Sequence, residues 1–215
     1  MTDDLERRLA AARPAAGAGA DADLDALTAA LAERADREGL LDVAYGSFDS
    51  PVGELTVFTT RLGLLMLAYP EDDLDELQDR LAARVSPRIM AAPRRTDAIR
   101  RELDAYFASR LQSFETPVDW RLVGGFTGRV LHATAAIPYG RVSTYRDVAD
   151  AAGSPRAYRA AGNALHVNPI PIVVPCHRVL PSGGQLGGYG GGVERKAFLL
   201  ELEGARRPAG PTASR

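Results

Sequence analysis

The sequence predicts an α+β protein, with a small N-terminal α/β domain built on an antiparallel sheet and a mostly helical C-terminal domain containing a helix-turn-helix. Three observations carry this reading. Runs rich in β-branched and aromatic residues are confined to residues 43–69, leucines take helical spacing from about 72, and Gly153-Ser154-Pro155 separates two short helical segments.

Taken in order, residues 1–40 are rich in Ala, Asp and Arg and are broken by Pro14 and Gly17-Ala-Gly-Ala. They read as a partly ordered extension, with Leu24, Leu27 and Leu31 marking a short amphipathic helix over about 23–38. Residues 41–120 form the N-terminal scaffold domain. Val43–Phe48, the turn Ser50-Pro-Val-Gly, Leu55–Thr60 and Leu64–Tyr69 read as a three-stranded meander. Helices follow at about 72–84 (Leu74, Leu77, Leu81) and 94–108 (Ile99, Leu103, Tyr106). No chemical motif lies in this stretch.

Residues 121–205 make the second domain, and 206–215 a disordered tail. Phe126–Ile137 is an amphipathic helix ended by Pro138-Tyr-Gly. Thr144 with Asp147 fits a capping box that opens a short helix. Gly153 stops that helix, and Ser154-Pro155 supply the N-cap and first-turn proline of the next, Pro155–His166. Its small residues, Ala157, Ala160 and Gly162 among them, permit close approach to DNA or to another helix; Arg156 and Arg159 favour DNA.

Charge points the same way. The chain carries 26 Lys+Arg against 28 Asp+Glu, a net −2, but residues 1–120 hold 14 Arg and 23 acids (−9), while 121–215 hold 12 Lys+Arg and 5 acids (+7). A basic C-terminal half is what a polyanion partner needs. No apolar stretch approaches the roughly 20 residues of a membrane-spanning helix, and the charged N-terminus lacks a signal sequence, so a cytoplasmic protein is expected. One cysteine excludes an internal disulfide, and with three histidines at unsuitable spacing no metal site is expected.

A lone thiol is ordinarily a buried small hydrophobe. Here its surroundings argue otherwise. In Asn168-Pro-Ile-Pro-Ile-Val-Val-Pro-Cys176-His-Arg-Val, prolines stiffen the chain, Ile172-Val-Val seeks burial, and His177 and Arg178 follow the thiol directly. An adjacent imidazole or guanidinium is expected to depress the thiol toward thiolate. The glycine-rich run at 182–192 has neither a GxGxxG nor a Walker A register, but it lets backbone N–H groups approach a planar base.

Asn168-Pro-x-Pro-Ile-x-x-Pro-Cys-His-Arg-Val, Gly188-Tyr-Gly-Gly-Gly and Glu194-Arg-Lys…Leu-Leu-Glu-Leu-Glu-Gly resemble the O6-alkylguanine-DNA alkyltransferases, the methylated-DNA–protein-cysteine methyltransferases. The resemblance is close over about 126–204 and loose over 43–120. It implies DNA repair by stoichiometric transfer of an alkyl group from O6-alkylguanine to Cys176, once per molecule, with no cofactor. It implies that His177 acts as base through a water and that Glu203 orients it. Tyr145 would donate to guanine N3 and crowd the 3′ phosphate, and Arg159 would fill the gap left by the extruded base. The helix bearing Arg156, Ala157, Ala160 and Gly162 would enter the minor groove of double-stranded DNA, with Arg178 on the DNA side. Asn168 would brace the turn to the cysteine. Val179, Tyr189 and the Gly190 N–H would wall the pocket, with Lys196 at its edge. Some members carry Ser at Gly190, and the zinc site of some members has no ligands here. A monomer suffices for this chemistry. Two rivals remain: a non-catalytic lesion-binding protein, which Cys176 argues against, and a cysteine hydrolase, which would turn over.

Overall fold

A computed structural model describes residues 18–183 and 185–205. The tail expected at 206–215, and residues 1–17 of the expected extension, lie outside them. The first helix, α1 (Ala18–Arg37), is longer than its leucine spacing predicts. Leu27 and Leu31 are exposed, whereas Ala32 is buried and packs with Leu41, Ala44 and Ala92. Ion pairs from Arg94 to Glu33 and from Arg95 to Asp36 hold α1 against the sheet domain.

Strands β1 (Val43–Phe48), β2 (Leu55–Thr60) and β3 (Gly63–Ala68) form the antiparallel meander, with Tyr45 opposite Phe58 and Val57 opposite Leu67. Helix α2 (Leu74–Arg84) starts on Asp73, whose carboxylate accepts the N–H groups of Asp75 and Glu76. A fourth strand, β4 (Ile89–Ala91), was not expected. It pairs parallel to β1, giving the order β3-β2-β1-β4 and making the sheet mixed. Helix α3 (Pro93–Phe107) lies against β1 and β2 and buries Thr96, Ile99, Leu103 and Tyr106. The chain then returns beside β3. Leu64 N–H donates to Pro117 O at 2.8 Å, and a Cβ on Gly63 would sit 2.0 Å from that oxygen, so only glycine fits the turn.

In the second half, α4 (Gly125–Ala135) and the short helices α5 (Tyr145–Ala151) and α6 (Tyr158–His166) pack on one another. The Thr144–Asp147 capping box is present in both directions. Helix α6, however, begins three residues later than Ser154-Pro155 suggests. Ser154–Ala157 close a turn instead, with Ala157 N–H donating to Ser154 O at 2.9 Å and Pro155 in the second position that proline favours. A 3-10 turn, Cys176–Arg178, leads into β6 (Val179–Leu180), which pairs parallel with β5 (Ser143–Thr144); α7 (Val193–Leu202) completes this half.

One buried core runs through both halves, joining Val57, Leu67, Leu103 and Tyr106 to Val130, Leu165, Val174 and Leu199. Polar ties reinforce it. Leu67 N–H donates to Pro169 O at 2.8 Å. Arg195 on α7 donates to Val52 O, grips Glu71 with both terminal nitrogens, and places its guanidinium 4.7 Å from the Tyr69 ring centre. No helix among the described residues is long and apolar enough to cross a membrane.

Candidate active site

The segment before the cysteine is tightly folded. Val173 N–H donates to Pro171 O across Ile172, whose φ is +71°, so a buried β-branched residue holds the left-handed centre of a γ-turn. Such a conformation costs about 1–3 kcal/mol and persists where the surroundings dictate it. Here two prolines and complete burial do so. A second, inverse γ-turn at Pro175 lets Cys176 N–H donate to Val174 O at 2.8 Å. Asn168 ties the loop together. Its Nδ2 donates to Val174 O at 2.9 Å and to Cys176 Sγ at 3.1 Å, while its Oδ1 accepts Ile170 N–H.

Cys176, 7% exposed, lines a cavity of about 280 Å3 with Tyr145, Gly162, Leu165, His166, Gly188, Tyr189 and Gly190. That volume lies at the small end of ligand sites. The glycines are functional by their bareness. A Cβ on Gly191 would stand 2.5 Å from Tyr69 Cε2 and 2.9 Å from Tyr189 Cε1, so the backbone must pass between two rings.

His177, next in the chain after the cysteine, is fully buried. Its Nε2 lies 2.9 Å from Glu203 Oε1, and its Nδ1 has no hydrogen-bond partner among the described residues. Glu203 also accepts from Tyr106 Oη at 2.7 Å and from Arg178 Nε and Nη2 at 2.9 and 2.8 Å. Burial alone would raise the Glu203 carboxyl, but the hydrogen bonds from His177 and Arg178 outweigh it and hold it at about 2. An ionised Glu203 only accepts, so Nε2 carries the imidazole proton and Nδ1 presents a lone pair. Burial pushes the His177 imidazole down despite Glu203, so at neutral pH it is an uncharged base.

The thiol departs from expectation. Burial pushes Cys176 up, and the Asn168 hydrogen bond and the Lys196 charge offset this only in part. The resting sulfur is therefore protonated. Arg178 does not supply the expected charge, because the 3-10 turn points it away. It is buried, 6% exposed, and is held between Glu203 and Ile137 O. Lys196 likewise sits behind the cavity wall and not at its edge. Its buried Nζ donates to Val179 O and Gly188 O, and burial lowers it to about 8. Val179 is fully buried beneath the wall.

Tyr145 is half-buried at the cavity mouth, with its ring 3.8 Å from where a Gly162 Cβ would be; burial raises its hydroxyl. Arg156, Arg159 and Ala160 are exposed, while Ala157 is half-buried. Two residues around the site escaped sequence reasoning. Tyr106 and Tyr69, both from the N-terminal half, stood in apolar patterns that read as core. Tyr69 Oη lies 2.8 Å from Tyr189 Oη, and Arg195 backs the Tyr69 ring. No local signal distinguished them.

A thiol followed in the chain by a buried imidazole that a carboxylate holds is a set of groups able to serve as nucleophile, base and orienting group. Two family models match the chain: "6-O-methylguanine DNA methyltransferase, ribonuclease-like domain" over residues 43–120, and "6-O-methylguanine DNA methyltransferase, DNA binding domain" over 125–205. A methylated-DNA–protein-cysteine methyltransferase of Mycobacterium bovis is 39% identical over 172 residues, covering 78% of this chain and 96% of the relative. One from Methanosarcina barkeri is 36% identical, covering 74% and 96%. The crystal structure of Mycobacterium tuberculosis O6-methylguanine methyltransferase superposes with a TM-score of 0.65 at 39% identity, over 78% of this chain and 96% of that one. The same mycobacterial protein in complex with DNA gives 0.64 at 39% identity, over 77% and 96%. By the extent of these matches, the chain belongs to the 6-O-methylguanine DNA methyltransferase family.

Proposed function

We propose that this protein repairs DNA by moving an alkyl group from O6 of guanine onto Cys176, once per molecule. The observation that carries the reading is Cys176 on the wall of a base-sized cavity, followed in the chain by His177, which is buried against Glu203. A water bridging the thiol to His177 Nδ1 takes the thiol proton to the imidazole, and Glu203 stabilises the imidazolium that forms. The thiolate attacks the alkyl carbon; the C–S bond forms as the C–O6 bond breaks. The electron pair stays on guanine, and Tyr145 offsets that charge by donating to N3. The thioether has no second thiol to release it, so the protein is consumed.

Guanine O6 is reached only if the base leaves the stack, at a cost of a few kcal/mol. Exposed Arg159 fills the vacated space, Arg156 contacts phosphate, and α6, as the second helix of a helix-turn-helix, lies in the minor groove with Ala157, Ala160 and Gly162 allowing its approach. Tyr189 and the Gly190 N–H wall the base, and Asn168 holds the cysteine turn. Residues 41–120 serve as scaffold and 121–205 bind DNA and accept the alkyl group. The protein acts as a cytoplasmic monomer.

Mixing the protein with duplex DNA bearing radiolabelled O6-methylguanine tests this. Label moves to the protein at no more than one equivalent, and Cys176→Ala loses transfer while keeping DNA binding. Turnover beyond one equivalent points to a hydrolase, and labelling of Cys176→Ala removes the assignment.

A further inference from the structure

The Tyr69–Tyr189 hydroxyl contact crosses from the N-terminal half to the cavity wall, and the proposed chemistry leaves it unused. Tyr69 is held on every side. Its N–H donates to Asp72 Oδ2 at 2.7 Å, its ring covers the bare backbone of Gly191, and the Arg195 guanidinium lies 4.7 Å from its ring centre. Its hydroxyl meets that of Tyr189 at 2.8 Å, with the two rings edge to face. Tyr189 in turn lines the cavity beside Cys176. A hydroxyl has one proton. When the Tyr189 proton turns to an ionised sulfur, Tyr69 must become the donor to Tyr189 oxygen, and the Arg195 charge against its ring favours that polarity.

We propose that Tyr69 is a positioning residue for the acceptor cysteine, its hydroxyl fixing that of Tyr189 so that the Tyr189 proton is aimed at Cys176 Sγ as the thiolate forms. The N-terminal half then contributes to the reactivity of the sulfur as well as to the core. Charged and titratable groups facing the pair are Arg195 and Asp72 at Tyr69, Tyr106 and His177 at Tyr189, and Lys196, Tyr145 and His166 around Cys176 and the cavity. Chains of hydrogen bonds polarise one another, so the loss of Tyr69 Oη weakens the donation proposed from Tyr189 to the thiolate without abolishing it.

This inference rests on the proposed role of Cys176 as nucleophile, but it is tested without DNA. As the lone cysteine, Cys176 reports cleanly on its alkylation by iodoacetamide, followed across pH in the full chain. Tyr69→Phe slows alkylation at neutral pH roughly three- to tenfold and moves the rate profile to higher pH. Its melting temperature stays within about 2 °C of the parent. In a Tyr189→Phe background the same change adds less than about twofold, as coupled partners require. A Tyr69→Phe profile superposing on the parent overturns the inference, as do fully additive effects of the two changes. Single-turnover transfer from O6-methylguanine DNA is run alongside. Its absence from the parent protein, with the alkylation shift intact, would remove the repair reaction and leave the Tyr69 relay standing.

Discussion

Glu203 Oε1 lies 2.9 Å from His177 Nε2 and also accepts from Tyr106 and Arg178, so side chains from helix α3 and from the Cys176–Arg178 turn converge on one carboxylate oxygen. The carboxylate thereby fixes the imidazole tautomer and leaves Nδ1 as the base. Glu203→Gln keeps the shape and removes the charge. Transfer should slow about a hundredfold or more, as for loss of an orienting group from a base. Removing one partner of a buried pair typically costs about 3–5 kcal/mol, so the melting temperature should drop as well. Single-turnover rates and thermal melts measure both.

The same residue sets an acid limit on stability. Its folded carboxyl is held at about 2 against an ordinary value of 4.5. The folded value is the lower one, so its contribution is complete above about pH 4.5 and is lost as pH falls toward 2. Melting curves of the parent and Glu203→Gln should therefore converge as pH drops through that window. A constant gap would contradict the ionised carboxylate.

A protonated thiol beside a neutral imidazole has its own pH signature. Transfer should stay level on the alkaline side of neutrality and fall only below about pH 6.5, since burial lowers His177 from that ordinary value. A rate that climbs steeply from pH 7 to 9 would show that bulk ionisation of Cys176, not His177, limits the reaction.

Arg178 and Arg156 should behave oppositely. Arg178→Ala strips two donors from buried Glu203, lowering the melting temperature while leaving the salt dependence of DNA binding unchanged. Arg156→Ala, at an exposed position, should reduce the slope of log K against log salt by about one and leave the melt unaltered. Binding isotherms at several salt concentrations separate the two.

The neighbouring Gly190 and Gly191 differ in tolerance. A Cβ at Gly190 meets His166 O at 3.3 Å, a contact relieved by a small shift. Gly190→Ser should keep most of the transfer activity. Gly191→Ala forces a carbon to 2.5 Å from Tyr69 and should lose at least tenfold in rate as the rings part. Single-turnover assays of both variants decide this.

What could be read in advance followed the range of the interactions concerned. The β1–β3 meander, α2, α3 and the Thr144–Asp147 box depend on neighbours within a few residues, and the structure has them. Strand β4 is three residues long after a proline-containing loop and shows no period of its own. Cys176 and its prolines stand together in the chain, so the stiff turn around the cysteine was legible. The direction of Arg178 was not, because a 3-10 turn rather than a strand follows the cysteine. Burial inverted the expected effect on the thiol, and burial is a property of the whole core. Tyr69 and Tyr106 reach the site across the interface between halves, where local pattern carries no information.

The most direct test is an intact-protein and peptide mass measurement after incubation with excess duplex containing O6-methylguanine. One methyl group should appear per molecule, confined to the peptide bearing Cys176, with guanine restored in the DNA and no further conversion after the protein is spent. Methyl on another residue, or lesions removed beyond one per protein molecule, would contradict the account.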